Sequence, residues 1–103
     1  MLPNRFSLTS YAEDRLKKDK SITGIAINIA ARELFFRSIE RGIKFSSLTT
    51  IAWGKMELDK ATWLGDCRII TELLLTSMYP KHDSAELATL FAMHIDAQLS
   101  ENI

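Results

Sequence analysis

The 103-residue sequence contains few of the residues that cross-link small proteins or interrupt helices: one cysteine, two prolines and four glycines. A lone cysteine, Cys67, cannot form a disulfide within the chain, which excludes a disulfide-stapled scaffold and agrees with a reducing compartment. The scarcity of glycine and proline favours long helices over a turn-rich β protein.

The sequence also lacks a long hydrophobic run. A membrane-spanning helix needs roughly 18 consecutive apolar residues, and the best candidate is interrupted by Asn28, Arg32 and Glu33. The first 15 residues have no apolar core of the kind found in signal peptides. We therefore predict a cytoplasmic protein with no membrane partner.

A net charge is absent as well, because 13 basic residues balance 13 acidic ones. The charges are unevenly placed: residues 1–55 hold ten basic and five acidic side chains, and residues 56–103 hold three and eight. This asymmetry could give a basic face for nucleic acid or for an acidic partner. The near-neutral overall balance weakens the nucleic-acid interpretation, since such domains are usually basic.

The hydrophobic pattern predicts an all-α fold, a compact single-domain bundle of four or five helices spanning residues 1–103. Residues 1–9 are expected to be irregular. The predicted helices cover about residues 11–19, 22–41, 47–57, 60–79 and 84–99. The 22–41 segment is apolar on every side, as in a helix that other helices surround, and we place it at the centre.

Helix starts are marked by capping residues. Ser10 with Glu13, and Asp83 with Glu86, have the spacing of a capping box, and Asp59 can cap the helix after it. Residues 43–57 are ambiguous, because their β-branched side chains also suit a strand. No partner strand is evident elsewhere in the sequence, so we favour a helix over 47–57.

Patterns typical of catalytic and metal-binding sites are missing from the sequence. The sequence has no CxxC, HxxxH or HExxH spacing and no grouped glycines. Cys67 falls on an apolar helix face and is expected to be inert, and His94 falls among polar positions and is expected to be solvated. We predict no metal site, no cofactor and no enzymatic activity.

Some apolar residues lie outside the predicted buried faces: Ile69, Leu73, Leu90 and Met93. We interpret them as a partner-binding face, with Arg15, Lys17, Lys18 and Lys20 as an electrostatic docking patch. The function predicted from this is a small non-enzymatic regulatory or adaptor protein. It would bind a protein partner through an apolar helical face and self-associate as a homodimer.

A DNA-binding transcriptional regulator is the alternative, with nucleic acid the less favoured partner. Residues 46–68 can be drawn as a degenerate helix-turn-helix, although two acids in the turn would approach the phosphates. Residues 5–41 can be drawn as a ribbon-helix-helix in which Arg5 to Thr9 form the ribbon.

Overall fold

A computed structural model describes residues 1–101 and gives an α/β fold, so the all-α prediction is wrong. A 3₁₀ turn, Gly65–Cys67, separates two of the helices. None of the described helices is long and apolar enough to span a membrane. In chain order the elements are β1 (Arg5–Thr9), α1 (Ser10–Thr23), α2 (Ile27–Glu40), β2 (Trp53–Asp59), α3 (Lys60–Leu64), α4 (Arg68–Met78) and α5 (Ser84–Glu101).

The two strands form an antiparallel pair in which Arg5 lies opposite Asp59 and Thr9 opposite Trp53. They correct two predictions together, the irregular segment at 1–9 and the helix at 47–57. Each segment is the partner that the other needs, and more than 40 residues separate them along the chain. Hydrophobic periodicity reports only neighbouring residues, so it could not reveal this pairing.

A carboxylate from α1 accepts a backbone hydrogen bond where the pairing of the two strands is irregular. Between Ser7 and Thr9 the pairing shifts register, and there the backbone N–H of Met56 donates to Glu13 Oε1 at 2.6 Å. Burial raises the pKa of Glu13, but the bonds from Met56 and from Lys17 outweigh it and hold that pKa below its usual value. A charged carboxylate thus anchors β2 to α1.

Two glycines explain why the long predicted helices are broken. Gly24 has a φ of 77° and its N–H caps α1 by donating to Lys20 O at 2.8 Å. The predicted 22–41 helix is therefore the end of α1 followed, after a turn, by α2. Gly65, with a φ of 51°, splits the predicted 60–79 helix. A Cβ on Gly65 would also lie 2.8 Å from Arg32 Nη2.

The central helix is α5, whereas the sequence placed the 22–41 segment there. Residues 87–95 of α5 are almost all buried, and Phe91 stacks on Phe35 of α2 at 5.0 Å and meets Phe6 of β1 edge-on at 5.5 Å. In α2 only one side is buried, since Ile29 remains 50% exposed. Strand β1 packs on α5 together with α1, α2 and α4, so α5, and not α2, is the helix that other elements surround.

Candidate functional site

The four predicted partner-binding residues separate into two pairs. Ile69 and Leu73 lie on the outer face of α4, 78% and 57% exposed. Leu90 and Met93 lie in the core, 1% and 7% exposed. Because α5 is surrounded by β1, α1, α2 and α4, its polar-looking side faces protein, and these two residues are not available at the surface of the chain.

One face of α1 carries a row of four side chains, which we call the α1 stripe: Tyr11, Arg15, Lys18 and Ile22. Spacings of four, three and four residues bring them to one side of a helix. The first three line one shallow surface pocket together with Asp14. At 1.5 Å per residue the stripe is about 16 Å long.

The predicted electrostatic patch is divided by the helix geometry. Arg15 and Lys18 belong to the stripe, where Arg15 lies 3.7 Å from Asp19. Lys17 points toward β2 and bonds Glu13 at 3.1 Å. Lys20 lies on another side and lines a groove between α1 and α2. The four cations therefore contribute positive charge in three directions around one helix.

The groove beside Lys20 has a volume of about 300 Å³ and closes against the end of α5. Its rim mixes three cations with the acids Asp19 and Glu33, and Glu33 pairs with Arg37 at 2.5 Å. Its apolar floor consists of Leu16, Ile25, Ala30, Leu34 and Leu99. Paired charges over an apolar floor make the groove less suited to an anion than the stripe.

His94, expected to be solvated, is fully buried among Phe35, Phe45 and Tyr79. Its Nδ1 lies 2.7 Å from Ser38 Oγ and its Nε2 2.8 Å from the Tyr79 hydroxyl. That hydroxyl also accepts from the Phe45 N–H at 3.1 Å, leaving its own proton for Nε2. Burial lowers the pKa of His94 to about 4, so the ring is neutral.

The His94 network ties four separate parts of the chain together. Ser38 comes from α2, Phe45 from the loop before β2, Tyr79 from the end of α4 and His94 from α5. No local spacing in the sequence joins these positions, so sequence analysis had no signal for the network. The network has a structural role, which is to hold the loop before β2 against the core.

A second buried polar cluster holds the N-terminal segment. Lys60 Nζ lies 3.3 Å from Glu72 Oε2 and 3.0 Å from Leu2 O. The same carboxylate oxygen accepts from Leu2 N at 3.1 Å. Glu72 and Lys60 are each 9% exposed, so the pair anchors residue 2 to α3 and α4.

Within residues 1–101 no group of three or more histidine, cysteine, aspartate or glutamate side chains is placed to hold a metal ion. Cys67 is half-buried at the 3₁₀ turn. The α1 stripe combines exposed apolar groups, Tyr11 and Ile22, with the cations Arg15 and Lys18.

The family model described as "DNA sulphur modification protein DndE" matches residues 5–100, nearly the whole chain. The chain belongs to the DndE family. A solved structure of DndE from Escherichia coli B7A, described as involved in DNA phosphorothioation modification, is 42% identical and superposes with a TM-score of 0.89 over 100% of both chains. A comparison with functionally curated proteins finds no match.

A DndE variant with lysine at two glycine positions, described as involved in DNA phosphorothioation, is 39% identical, with a TM-score of 0.86 over 98% of each chain. Membership of the DndE family overturns the predicted functions of generic helical-face adaptor and of transcriptional regulator. The adaptor prediction relied on surplus apolar surface, part of which is core.

The structure also shows why the two DNA-binding motifs are absent. The strand at Arg5–Thr9 and the two helices after it have the order of a ribbon-helix-helix, but β1 pairs with β2 of the same chain. Residues 46–68 contain a loop, β2, α3 and the 3₁₀ turn in place of a helix-turn-helix.

Proposed function

We propose that this DndE-family chain is a non-catalytic component of DNA sulphur modification that contacts the DNA backbone through the α1 stripe. Phosphorothioation exchanges a backbone phosphate oxygen for sulphur, so the substrate of such a system is the sugar–phosphate chain itself. A protein that positions this substrate needs exposed cations at phosphate spacing more than it needs base-reading groups. The working location would be the cytoplasm, with the DNA.

The observation that carries the proposal is the composition of the stripe. Lys18 is exposed and forms no ion pair with residues 1–101, so its charge is available to a phosphate. Arg15 lies one turn away and Tyr11 supplies a 45% exposed aromatic ring. Cations interleaved with an aromatic ring on one helix face form a surface that can follow a nucleic-acid backbone.

A non-catalytic role is supported by what the unusual ionisable groups do. Glu13 and His94 have shifted pKa values, which often mark active sites. Here Glu13 holds the backbone of β2 and His94 closes a buried network. Both shifts have a structural explanation, so we assign the chemistry of sulphur transfer to other components of the system.

Reversing the two stripe cations, Arg15→Glu with Lys18→Glu, is expected to weaken duplex DNA binding. Each lost phosphate contact should also reduce the slope of log Kd against log salt by about one. Fluorescence anisotropy with a labelled duplex at several salt concentrations measures both quantities. The matched control is Arg68→Glu with Lys81→Glu, two exposed cations away from α1.

Both double variants change the net charge equally, so the comparison separates a local contact from a general loss of positive charge. If the two variants lose affinity to the same extent, or wild type shows no salt-dependent binding, contact through the α1 stripe is wrong. Circular dichroism of each variant establishes that the helices are intact.

We also propose that the chain self-associates through the exposed pair on α4, with a two-fold dimer as the expected state. Leu73→Asp should then lower the molar mass measured by light scattering. Helicity should be retained, because Ile69 and Leu73, the two residues of the pair, lie outside the core. Ala85→Asp, which adds the same charge at an exposed position in the first turn of α5, is the control. An unchanged mass for Leu73→Asp would rule out this face as the contact.

A further inference from the structure

We propose that a pocket between the two strands and the first turns of α5, lined among others by Arg5, Trp53 and Glu57, binds an unpaired nucleobase that carries an amino group. We call it the Trp53 pocket. The inference rests on the proposed function, and it adds recognition of a base to the contact with the DNA backbone. The pocket has a volume of about 240 Å³, below the roughly 300–1,000 Å³ of sites that enclose whole ligands. It therefore suits a single planar ring.

Trp53 differs from the second tryptophan of the chain in exposure and in hydrogen bonding. Trp63 is fully buried, and its indole N–H donates to Phe6 O at 2.7 Å. Trp53 is 44% exposed, and its indole N–H has no acceptor within residues 1–101. An exposed indole can stack on a nucleobase, and such stacking contributes to the binding of single strands. The fold accounts for Trp63 and leaves most of the Trp53 ring available to a ligand.

Polar atoms without a protein partner line the same pocket. Neither the carboxylate of Glu57 nor the hydroxyl of Ser7 has a hydrogen-bond partner within residues 1–101. Arg5 donates to Glu57 O through Nη2 at 2.9 Å, which holds the guanidinium group at the pocket and leaves its other N–H groups available. Phe6 and Ala88 supply buried apolar lining. Hydrogen-bonding groups beside an apolar lining and an aromatic ring complement a nucleobase.

The balance of charge favours a base over a phosphate in this pocket. Arg5 lies opposite Asp59 across the sheet and next to Glu57, so two acids offset the attraction of one arginine for an anion. A base is neutral and avoids this repulsion. An apolar side chain of a protein partner would desolvate the carboxylate and the indole N–H without giving either a hydrogen bond, which is costly.

The carboxylate of Glu57 determines which bases fit. Carboxylates accept hydrogen bonds from the amino group of cytosine. Thymine has no amino group, and its carbonyl oxygens would meet the negative charge of the carboxylate. We therefore expect the Trp53 pocket to bind cytosine more tightly than thymine.

The Trp53 pocket lies near the N-terminal end of the α1 stripe. Thr9 pairs with Trp53 across the sheet and also caps α1, and Ser10 N donates to Ala52 O at 2.8 Å. Tyr11, the first residue of the stripe, thus follows two residues after the partner of Trp53. DNA that follows the stripe to its N-terminal end reaches the neighbourhood of this pocket.

The test uses the full-length protein and two short single-stranded oligonucleotides, oligo(dC) and oligo(dT). Stacking quenches indole fluorescence, and because Trp63 is fully buried, the quench reports on Trp53. Wild type is expected to show the quench with oligo(dC) and to bind it more tightly than oligo(dT). Trp53→Ala should weaken oligo(dC) binding by roughly 5- to 150-fold, the equivalent of about 1–3 kcal/mol of stacking. Anisotropy of labelled oligonucleotides measures the affinities.

Two further variants separate the pocket from its surroundings. Leu48→Ala shortens a 36% exposed apolar side chain in the loop before β2 and should bind both oligonucleotides as wild type does. Glu57→Gln should narrow the preference for oligo(dC), because an amide can donate to a thymine carbonyl as well as accept from an amino group. The ratio of the two affinities cancels the general effect of losing one negative charge.

The outcomes separate this inference from the proposed function. The base site is wrong if oligo(dC) leaves the fluorescence unchanged, if Trp53→Ala binds as tightly as Leu48→Ala, or if the preference for oligo(dC) is absent or survives in Glu57→Gln. None of these results bears on duplex binding through the α1 stripe. If oligo(dC) quenches Trp53 and the stripe variants bind duplex DNA as wild type does, the backbone contact is wrong and the pocket stands. A molar mass higher in wild type than in Trp53→Ala would mean that a second copy covers Trp53, which also overturns the base site.

Discussion

Replacing Glu72 with alanine is expected to lower the free energy of unfolding by about 3–5 kcal/mol. Its carboxylate oxygen receives bonds from Lys60 Nζ and from Leu2 N, and both side chains of the ion pair are 11% exposed. Without it, the ammonium group of Lys60 stays buried with only Leu2 O as a partner. Urea denaturation followed by circular dichroism measures the change.

The size of this effect comes from an orphaned charge, and a second variant tests that cause. Lys60→Met with Glu72→Leu removes both charges and should recover most of the lost stability, because a buried ion pair itself contributes little. Glu57→Ala, an exposed acid on β2, controls for loss of a carboxylate. A double variant as unstable as Glu72→Ala would show that the anchoring of Leu2, and not the unpaired charge, dominates.

Local signals in the sequence predicted three of the five helix starts, those of α1, α3 and α5, to within one residue. Asp83 and Glu86 exchange the two hydrogen bonds of a capping box at 2.9 Å each, and Asp59 caps α3 through Thr62 N at 2.7 Å. The predicted 84–99 helix is confirmed by α5 (Ser84–Glu101). The cap of α1 differs from the prediction by one residue: Thr9, and not Ser10, accepts the hydrogen bond from Ala12 N that begins the helix.

Non-local features could not be predicted in the same way. The pairing of β1 with β2 decides that α5 is surrounded, and this in turn buries Leu90, Met93 and His94. A helical wheel assigns a polar side from composition, yet the wheel of α5 has protein on nearly every side. Polar residues there, such as Gln98 at 6% exposure, are buried too.

The candidate site was partly visible in the sequence. The sequence predicts that the basic residues of α1 form one patch. In the structure they point to different sides of the helix, so only Arg15 and Lys18 share a face. The spacing of Tyr11, Arg15, Lys18 and Ile22 was available in the sequence, provided that α1 was extended to Thr23. Assigning Ile22 to the following helix hid the stripe, and Gly24 was the residue that should have separated the two helices.

Acidification should destabilise the protein through His94. In the folded chain its pKa is about 4, against 6.5 for an ordinary histidine. Between these values the unfolded chain binds a proton that the folded chain excludes, so the free energy of unfolding falls as pH falls. The loss should approach about 3 kcal/mol when pH 4 is reached. Denaturation midpoints measured across this range give the slope.

Other groups titrate nearby, so the measurement needs a matched variant. Burial raises the pKa of Asp96, which makes its contribution run in the opposite direction over part of the range. The lowered pKa of Glu13 adds a loss of stability at the acidic end. His94→Gln retains hydrogen-bonding groups but cannot titrate, so its stability should vary much less between pH 6.5 and 4 than that of wild type. Parallel curves would show that the buried network tolerates a charged imidazole, for which the Ser38 and Tyr79 hydroxyls would both have to accept its protons.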